Sequence, residues 1–302
     1  MSLGSDALPV PRKFDWIPIL ALSLTVVGWA SAFPAIRAGL TAFGPLELGS
    51  LRFAIAAVPC AVLLLILRPA RPTGREFLRL ALRGLVCVSI YTVALNIGER
   101  TVSSGAASFI VNVSPILTAI WAMLLLGERF GPVAWLGTAL SFAGVTLVAL
   151  SDSESFKLDW GVAFILAAAL CTSVDAVIQK PLFKRMNGLA VACWSMIFAA
   201  LFLAPGLPSA LEQFAQANGE ARFAALYLGT VPSFVAYCGW SVTVSRFPAA
   251  RAANFLYCIP PTATLMGFFW LNEIPALLGI VGGGLALVGV AVVNLALRRR
   301  RT

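Results

Sequence analysis

Residues 112–128 read NVSPILTAIWAMLLLGE, and residues 257–273 read YCIPPTATLMGFFWLNE. Set one above the other, Pro115 falls on Pro260, Leu126 on Leu271 and Glu128 on Glu273, at an offset of about 145 residues. The register continues, with Gly137 on Gly282, Leu140 on Leu285, and Gly144-Val145 on Gly289-Val290. The 302-residue chain is therefore two copies of one pattern. Each copy has room for about five of the ~20-residue apolar stretches that cross a bilayer as helices. Five is odd, so the second copy enters from the opposite face and the repeats are inverted.

The composition agrees with a bilayer as solvent. The chain is 60% hydrophobic and 12% charged, with a mean hydropathy of +0.90, whereas soluble domains carry about 25% charged residues. The fold class expected is all-α, a polytopic membrane protein of ten transmembrane helices in two inverted five-helix repeats. The repeats occupy 14–150 and 160–298. Spans 1 to 10 are expected at 16–38, 45–67, 78–98, 103–126, 131–150, 160–180, 188–205, 221–245, 250–271 and 275–297. The longest polar connections, Arg68–Arg83, Ser151–Asp159 and Pro205–Arg222, leave no room for a soluble domain. Ala30-Ser31-Ala32 mimics a signal-peptidase site, but the run from Trp16 is long enough to span and has span 6 as its repeat partner, so it reads as a retained helix. Trp16, Trp121, Trp160 and Trp270 fall near span ends, as interfacial anchors do.

A net charge of +9 raises the question of nucleic acid. The distribution answers it. With the N-terminus inside, about 17 of the 22 basic residues collect on the cytoplasmic side, notably in the Arg68–Arg83 loop and at Arg298–Arg301. The charge is topology information, and no nucleic-acid partner is expected. Both termini are expected in the cytoplasm, in a bacterial-type inner membrane. The six cysteines lie in spans without a CxxC pair, so neither a metal site nor a disulfide framework is indicated.

Prolines interrupt the spans at Pro34, Pro59, Pro115, Pro232 and Pro260-Pro261. Each removes a backbone donor and frees a carbonyl one turn earlier. Pro115 and Pro260 occupy equivalent repeat positions, so they are the expected hinges. Pro132 and Pro275 follow short turns and suit the first position of a helix. Spans 5 and 10 are glycine-rich, with Gly279 and Gly283 at small-xxx-small spacing, and read as close helix packing. A homodimer through that face and a monomer remain open alternatives.

Ionisable groups at membrane depth usually mark function. Asp175, in span 6, is the coupling candidate, and its structural alternative is an ion pair with Lys180. Arg52, beside Glu47, reads as a structural pair, and Arg37 as a residue that snorkels or meets a carboxylate. Neutral polar and aromatic residues cluster in five spans: Trp29, Ser31 and Phe33; Tyr91; Ser108 and Asn112; Tyr237, Trp240 and Ser241; Asn254 and Tyr257. Amides, hydroxyls and aromatic walls together suit an amphipathic or zwitterionic solute better than a bare ion. These eleven are the candidate substrate-binding residues; Asn96 of span 3 belongs to the same cluster, and interhelical packing is the alternative reading.

Several motifs now form an ordered set: Trp29-Ala-Ser-Ala-Phe-Pro-Ala-Ile-Arg37, Leu51-Arg52-Phe53, Ser114-Pro115, Leu126-Gly127-Glu128-Arg129-Phe130, and Ala143-Gly144-Val145. The chain resembles the drug/metabolite transporter superfamily, EamA type. The second copy keeps Pro260, Glu273 and Gly289-Val290 but has Asn272 for Gly127 and Ile274 for Arg129. The resemblance implies a ten-helix inner-membrane carrier, most like bacterial exporters of amino acids, in particular aromatic ones. Alternating access by rocking of two five-helix halves is the expected mechanism. A broad exporter of aromatic or cationic drugs, with Asp175 as cation partner, is the alternative. A membrane-embedded enzyme is disfavoured: there is no histidine, no DxxD cluster and no phosphate-binding glycine loop. The expected partners are a small-molecule solute and lipid, without cofactor or metal.

Overall fold

The computed structural model describes residues 17–114, 117, 121, 131–151, 160–179, 181–246 and 256–298. Among these, all regular structure is helical. Five helices are each long and apolar enough to cross a membrane: Leu20–Gly39, Pro45–Leu67, Gly74–Gly98, Gly188–Gln216 and Gly219–Trp240. They are spans 1, 2, 3, 7 and 8. Described helix elsewhere comprises Ser104–Val111 in span 4, Pro132–Ser151 in span 5, Trp160–Ser173 and Asp175–Gln179 in span 6, Ile259–Leu271 in span 9, and Leu277–Arg298 in span 10. The protein is an all-α membrane protein of two inverted five-helix repeats.

The span ends are chemically specified. Span 2 starts with Pro45 in its first turn, where the missing N–H costs nothing. It stops at Arg68, which takes the left-handed conformation (φ 43°). Span 3 opens on a capping box, Thr73 with Glu76, so its first turn precedes the expected start at residue 78. Asn187 and Asn218 cap spans 7 and 8 through side-chain oxygens. Span 7 also runs further than the composition suggests. A helix at Leu207–Gln216 follows it, and there Gln213 accepts the Gly44 N–H that precedes span 2.

Packing obeys the repeat. Span 1 lies on span 8, and span 3 on span 6; span 3 also meets span 7, as span 2 meets span 8; span 1 meets span 9, as span 4 meets span 6. Spans 2 and 7, 4 and 9, and 5 and 10 pair with their own counterparts. Exchanging the two halves turns this set of contacts into itself. Each span makes its most extensive contact with a span of the other half. The halves are interleaved, each span lying mainly against the other half.

Spans 5 and 10 touch backbone to backbone. A Cβ added at Gly282 would meet the Gly144 carbonyl oxygen at 2.7 Å, and one at Gly289 would meet that of Gly137 at 2.5 Å. Ser141 Oγ donates to the Ala286 carbonyl oxygen at 3.0 Å across the seam. Gly283, by contrast, faces the Phe109 ring of span 4. Gly283 of the small-xxx-small pair thus serves span 4, and Gly282 and Gly289 serve span 5.

The other spans are irregular in matched pairs. Span 1 changes segment at Ser31, three residues before Pro34, and span 6 changes at the turn after Ser173. Span 4 turns at Asn112–Val113, and span 9 passes from a 3₁₀ turn, Leu256–Cys258, into helix at Ile259. Spans 3 and 8 each contain a π segment, Gly84–Ile90 and Val231–Val235. Discontinuous helices of this kind form binding sites at the middle of membrane carriers, and π segments recur at functional sites.

Candidate functional site

The irregular spans surround a cavity of about 400 Å3. That volume suits a small organic solute. Trp29 and Phe33 of span 1 form one wall, with Ile36 above them, and Tyr237 and Trp240 of span 8 form the next. The Trp29 ring meets Tyr237 edge-on at 5.2 Å and Trp240 at 5.6 Å. Tyr91 and Leu95 of span 3 and Asn112 and Ser114 of span 4 continue the lining. Asn112 Nδ2 lies 3.3 Å from the Ser108 carbonyl oxygen one turn earlier, which leaves its side-chain oxygen available.

One side of the cavity is ionic. Arg83 Nε donates to Asp175 Oδ1 at 2.6 Å, and Gln179 Nε2 donates to Oδ2 at 2.8 Å. Arg83 Nη1 is enclosed and has no hydrogen-bond partner among the described residues. Arg52 also lines the cavity. Its Nε donates to Ser233 Oγ at 2.5 Å, and its guanidinium lies 5.3 Å from the Phe53 ring centroid. Gly229 permits this arrangement, since a Cβ there would press on Ile55 at 2.6 Å and on the Arg52 carbonyl oxygen at 3.0 Å.

A second network ties the bundle together where spans 1, 3 and 9 end. Arg37 Nε and Glu273 Oε1 approach to 2.7 Å. That oxygen accepts no aligned hydrogen bond, so the contact is one of charge. Arg37 Nη1 donates to the carbonyl oxygens of Glu99 and Val102 at 3.0 and 2.8 Å. Glu273 Oε2 accepts from both the N–H and the hydroxyl of Ser104. The Glu99 carboxyl is buried beneath this network, with neither oxygen hydrogen-bonded. Loss of water pushes it well above the usual carboxylate range, against the pull of Arg37. A wider cavity of about 640 Å3 opens at this end between spans 4, 9 and 10, with Arg37 and Glu273 among its walls.

Six of the eleven candidate binding residues line the central cavity: Trp29, Phe33, Tyr91, Asn112, Tyr237 and Trp240. Ser31 and Ser108 do not. Ser31 Oγ is 2.7 Å from the Tyr227 hydroxyl, and Ser108 Oγ donates to the Gly105 carbonyl oxygen; both are packing bonds. Asn254 and Pro115, as well as the side chains of Ser241 and Tyr257, lie outside the described residues. Pro260 sits in the first turn of the helix Ile259–Leu271, where proline is tolerated. Asp175 lines the cavity, and its described partner is Arg83; Lys180 lies outside the described residues. Trp121, read as an interfacial anchor, instead donates its indole N–H to Ser173 Oγ at 2.9 Å.

Arg83 was hidden from sequence reasoning by its place at the end of a basic loop. Its signal was the spacing Arg83, Cys87, Tyr91, one helical face that reaches the cavity.

Comparison with known proteins now carries weight. The EamA-like transporter family matches residues 16–150 and 159–295. A protein of Streptantibioticus cattleyicolor named probable terminal-alkyne amino-acid exporter is 37% identical over 94% of this chain and 95% of its own. A Bacillus subtilis protein named uncharacterized transporter YdfC is 30% identical over 93% of this chain and 92% of its own. One crystal structure superposes with a TM-score of 0.62 at 19% identity, over 93% of this chain and 99% of that one, which supports the fold. Repeated halves, a cavity among broken helices and two family matches that together span most of the chain have one reading: this chain belongs to the EamA-like transporter family.

Proposed function

We propose that this transporter exports amino acids, aromatic or large neutral, or related small metabolites, as a secondary carrier working by alternating access. The observation that carries the reading is the central cavity. It combines an aromatic wall (Trp29, Tyr237, Trp240), the amide of Asn112 and fixed charges of both signs (Arg52, Arg83, Asp175) in about 400 Å3. An amino acid has an apolar part and one charge of each sign, and this lining complements all three. The name of the Streptantibioticus relative supports the same class.

The proposed setting is the inner membrane, with both termini in the cytoplasm, as the basic loops suggest. In that orientation the Arg37–Glu273–Ser104 network closes the outer end, and opening it releases substrate outward. Because the halves are interleaved, the motion we propose lies in the broken spans, which pivot at Ser31, Asn112, Val174 and Cys258. Asp175 remains the proposed coupling group: protonation would weaken its hold on Arg83 and loosen span 3 from span 6.

Cationic drugs are less well served. The lining carries two guanidinium groups against one carboxylate, so a ligand that is only cationic meets a net positive charge.

Counterflow of a labelled amino-acid panel into proteoliposomes, with and without a pH gradient, tests the proposal. We expect exchange selective for phenylalanine, tyrosine, tryptophan or leucine. Gradient dependence lost in Asp175→Asn would assign coupling to that residue. No exchange of any amino acid by folded protein would sink the assignment.

A further inference from the structure

Arg52 has the burial of a structural ion pair without its carboxylate. It is 5% exposed, and among the described residues no acid pairs with it. Glu47, its near neighbour in sequence, is not its partner. A guanidinium stays charged at any working pH. Placing one inside a membrane bundle is costly unless its charge is answered. Among the described residues, only Nε of its donors has a protein acceptor, Ser233 Oγ at 2.5 Å. The two terminal nitrogens have none. Unlike Arg83 Nη1, they are not sealed in protein, and the residue lines the cavity.

The surroundings fix this arginine rather than satisfy it. Ser233 is fully buried in the π segment Val231–Val235, whose wider turn lies at the level of Arg52. Phe53 supports the guanidinium from the side. Tyr237 and Tyr91 line the same cavity. A preset fork of parallel N–H donors, opening on a mainly apolar cavity, matches a group with two coplanar anionic oxygens.

We infer that Arg52 is the receptor for a substrate carboxylate, and that carboxylate recognition is the main specificity element of the cavity. This rests on the reading of the central cavity as the substrate site. It adds what that reading lacked, a named contact and an orientation. The carboxylate binds at Arg52, the side chain lies against Trp29 and Trp240, and the ammonium points toward Asp175. Arg52, Arg83 and Asp175 leave the empty site with one uncompensated positive charge. A bound carboxylate answers the charge of Arg52 locally, while the ammonium of a zwitterion leaves the sum over the cavity unchanged.

Calorimetric titration of the detergent-purified protein tests the inference with three ligands: L-phenylalanine, L-phenylalaninamide and 3-phenylpropanoate. The amide lacks the carboxylate, and the propanoate lacks the ammonium. We expect phenylalanine and phenylpropanoate to bind and the amide to fail. Arg52→Gln should weaken both carboxylates about 10- to 100-fold. Arg52→Lys should recover only part of that loss, because it restores charge but not the fork. Ser233→Ala should cost a smaller factor, about 3- to 10-fold, by freeing the guanidinium to turn.

Equal binding of the amide and phenylalanine, unchanged carboxylate affinity in Arg52→Gln, or no carboxylate binding by folded wild-type protein would each overturn the inference. Should Arg52→Gln not fold, the three-ligand comparison on wild-type protein and Arg52→Lys still decides. Failure of the two proposals is separable. Carboxylate binding without counterflow removes the exporter assignment and keeps Arg52. Counterflow of amide and amino acid alike, unaffected at Arg52, does the reverse.

Discussion

Three buried or half-buried arginines show how differently one residue type is used inside a membrane. Arg83 is matched to Asp175, Arg37 to Glu273, and Arg52 to a hydroxyl alone. The pairing of Arg37 was readable in outline, because a cation near a span end either snorkels or meets an acid. That of Arg52 was not. Glu47 is close in sequence, but five residues on a helix turn the side chain by about 140°, onto another face. Asp175 stood out as a lone acid in an apolar run, whereas Arg83 was masked by the basic loop before it. At the end of the bundle where Arg37 lies, Glu273 carries both the charge contact to Arg37 and the two donors of Ser104. Glu273→Gln keeps the shape but removes the charge. In the orientation proposed above, we expect it to loosen that end, so that a cysteine at Ile36 reacts with a membrane-impermeant maleimide added from outside about 10-fold faster than in the parent. An unchanged rate would show that the network does not seal that end.

The elements divide into straight and broken ones, and the division was only partly legible. Prolines marked the irregular regions of spans 1, 4, 8 and 9. The change of segment in span 6 has no proline. There Thr172 and Ser173 donate their hydroxyls back to the carbonyl oxygens of Ala169 and Leu170, a local competition that bends helices. The π segment of span 3 has a similar origin. Ser89 Oγ reaches back five residues to the Gly84 carbonyl oxygen at 2.9 Å. At Gly84 itself, a Cβ would strike Phe198 of span 7 at 2.6 Å. Spans 5 and 10 were read correctly as close-packed, and they provide a clean contrast. Gly144→Ala places a methyl against the backbone of Ala286, whereas a Cβ at Gly284 meets nothing within 4 Å. Overpacking of this kind costs about 1–3 kcal/mol. We expect Gly144→Ala to lower the midpoint of thermal unfolding in detergent by several degrees and Gly284→Ala to leave it unchanged. Equal midpoints would mean that the seam between spans 5 and 10 is looser than its geometry.

For the whole molecule, the repeat made the architecture legible before any contact was known, because a fixed offset and an odd number of spans dictate inversion. It did not reveal that the halves interlock. Sequence periodicity reports which stretches correspond, but not which ones touch. The contacts of span 1 with span 8, span 3 with span 6 and span 2 with span 7 all cross between halves. Neither half is therefore a folding unit. Dividing the chain in the 152–159 connection should yield two pieces that are each aggregated or degraded when expressed alone. Together they should co-purify through a tag on one piece and run as a single species in size-exclusion chromatography. A monodisperse, stable half obtained alone would contradict the interlocked arrangement.

That interlocking also sets a schedule for biosynthesis. When span 5 has entered the bilayer, its Gly144 seam still lacks its partner, because span 10 is made five spans later. The early spans must wait, inserted but unpartnered, until the matching spans emerge from the ribosome. Through most of its synthesis the nascent chain is a set of loosely held helices, and its completion depends on the final twenty or so residues of helix. Truncation near the C-terminus should therefore do more harm than its length suggests.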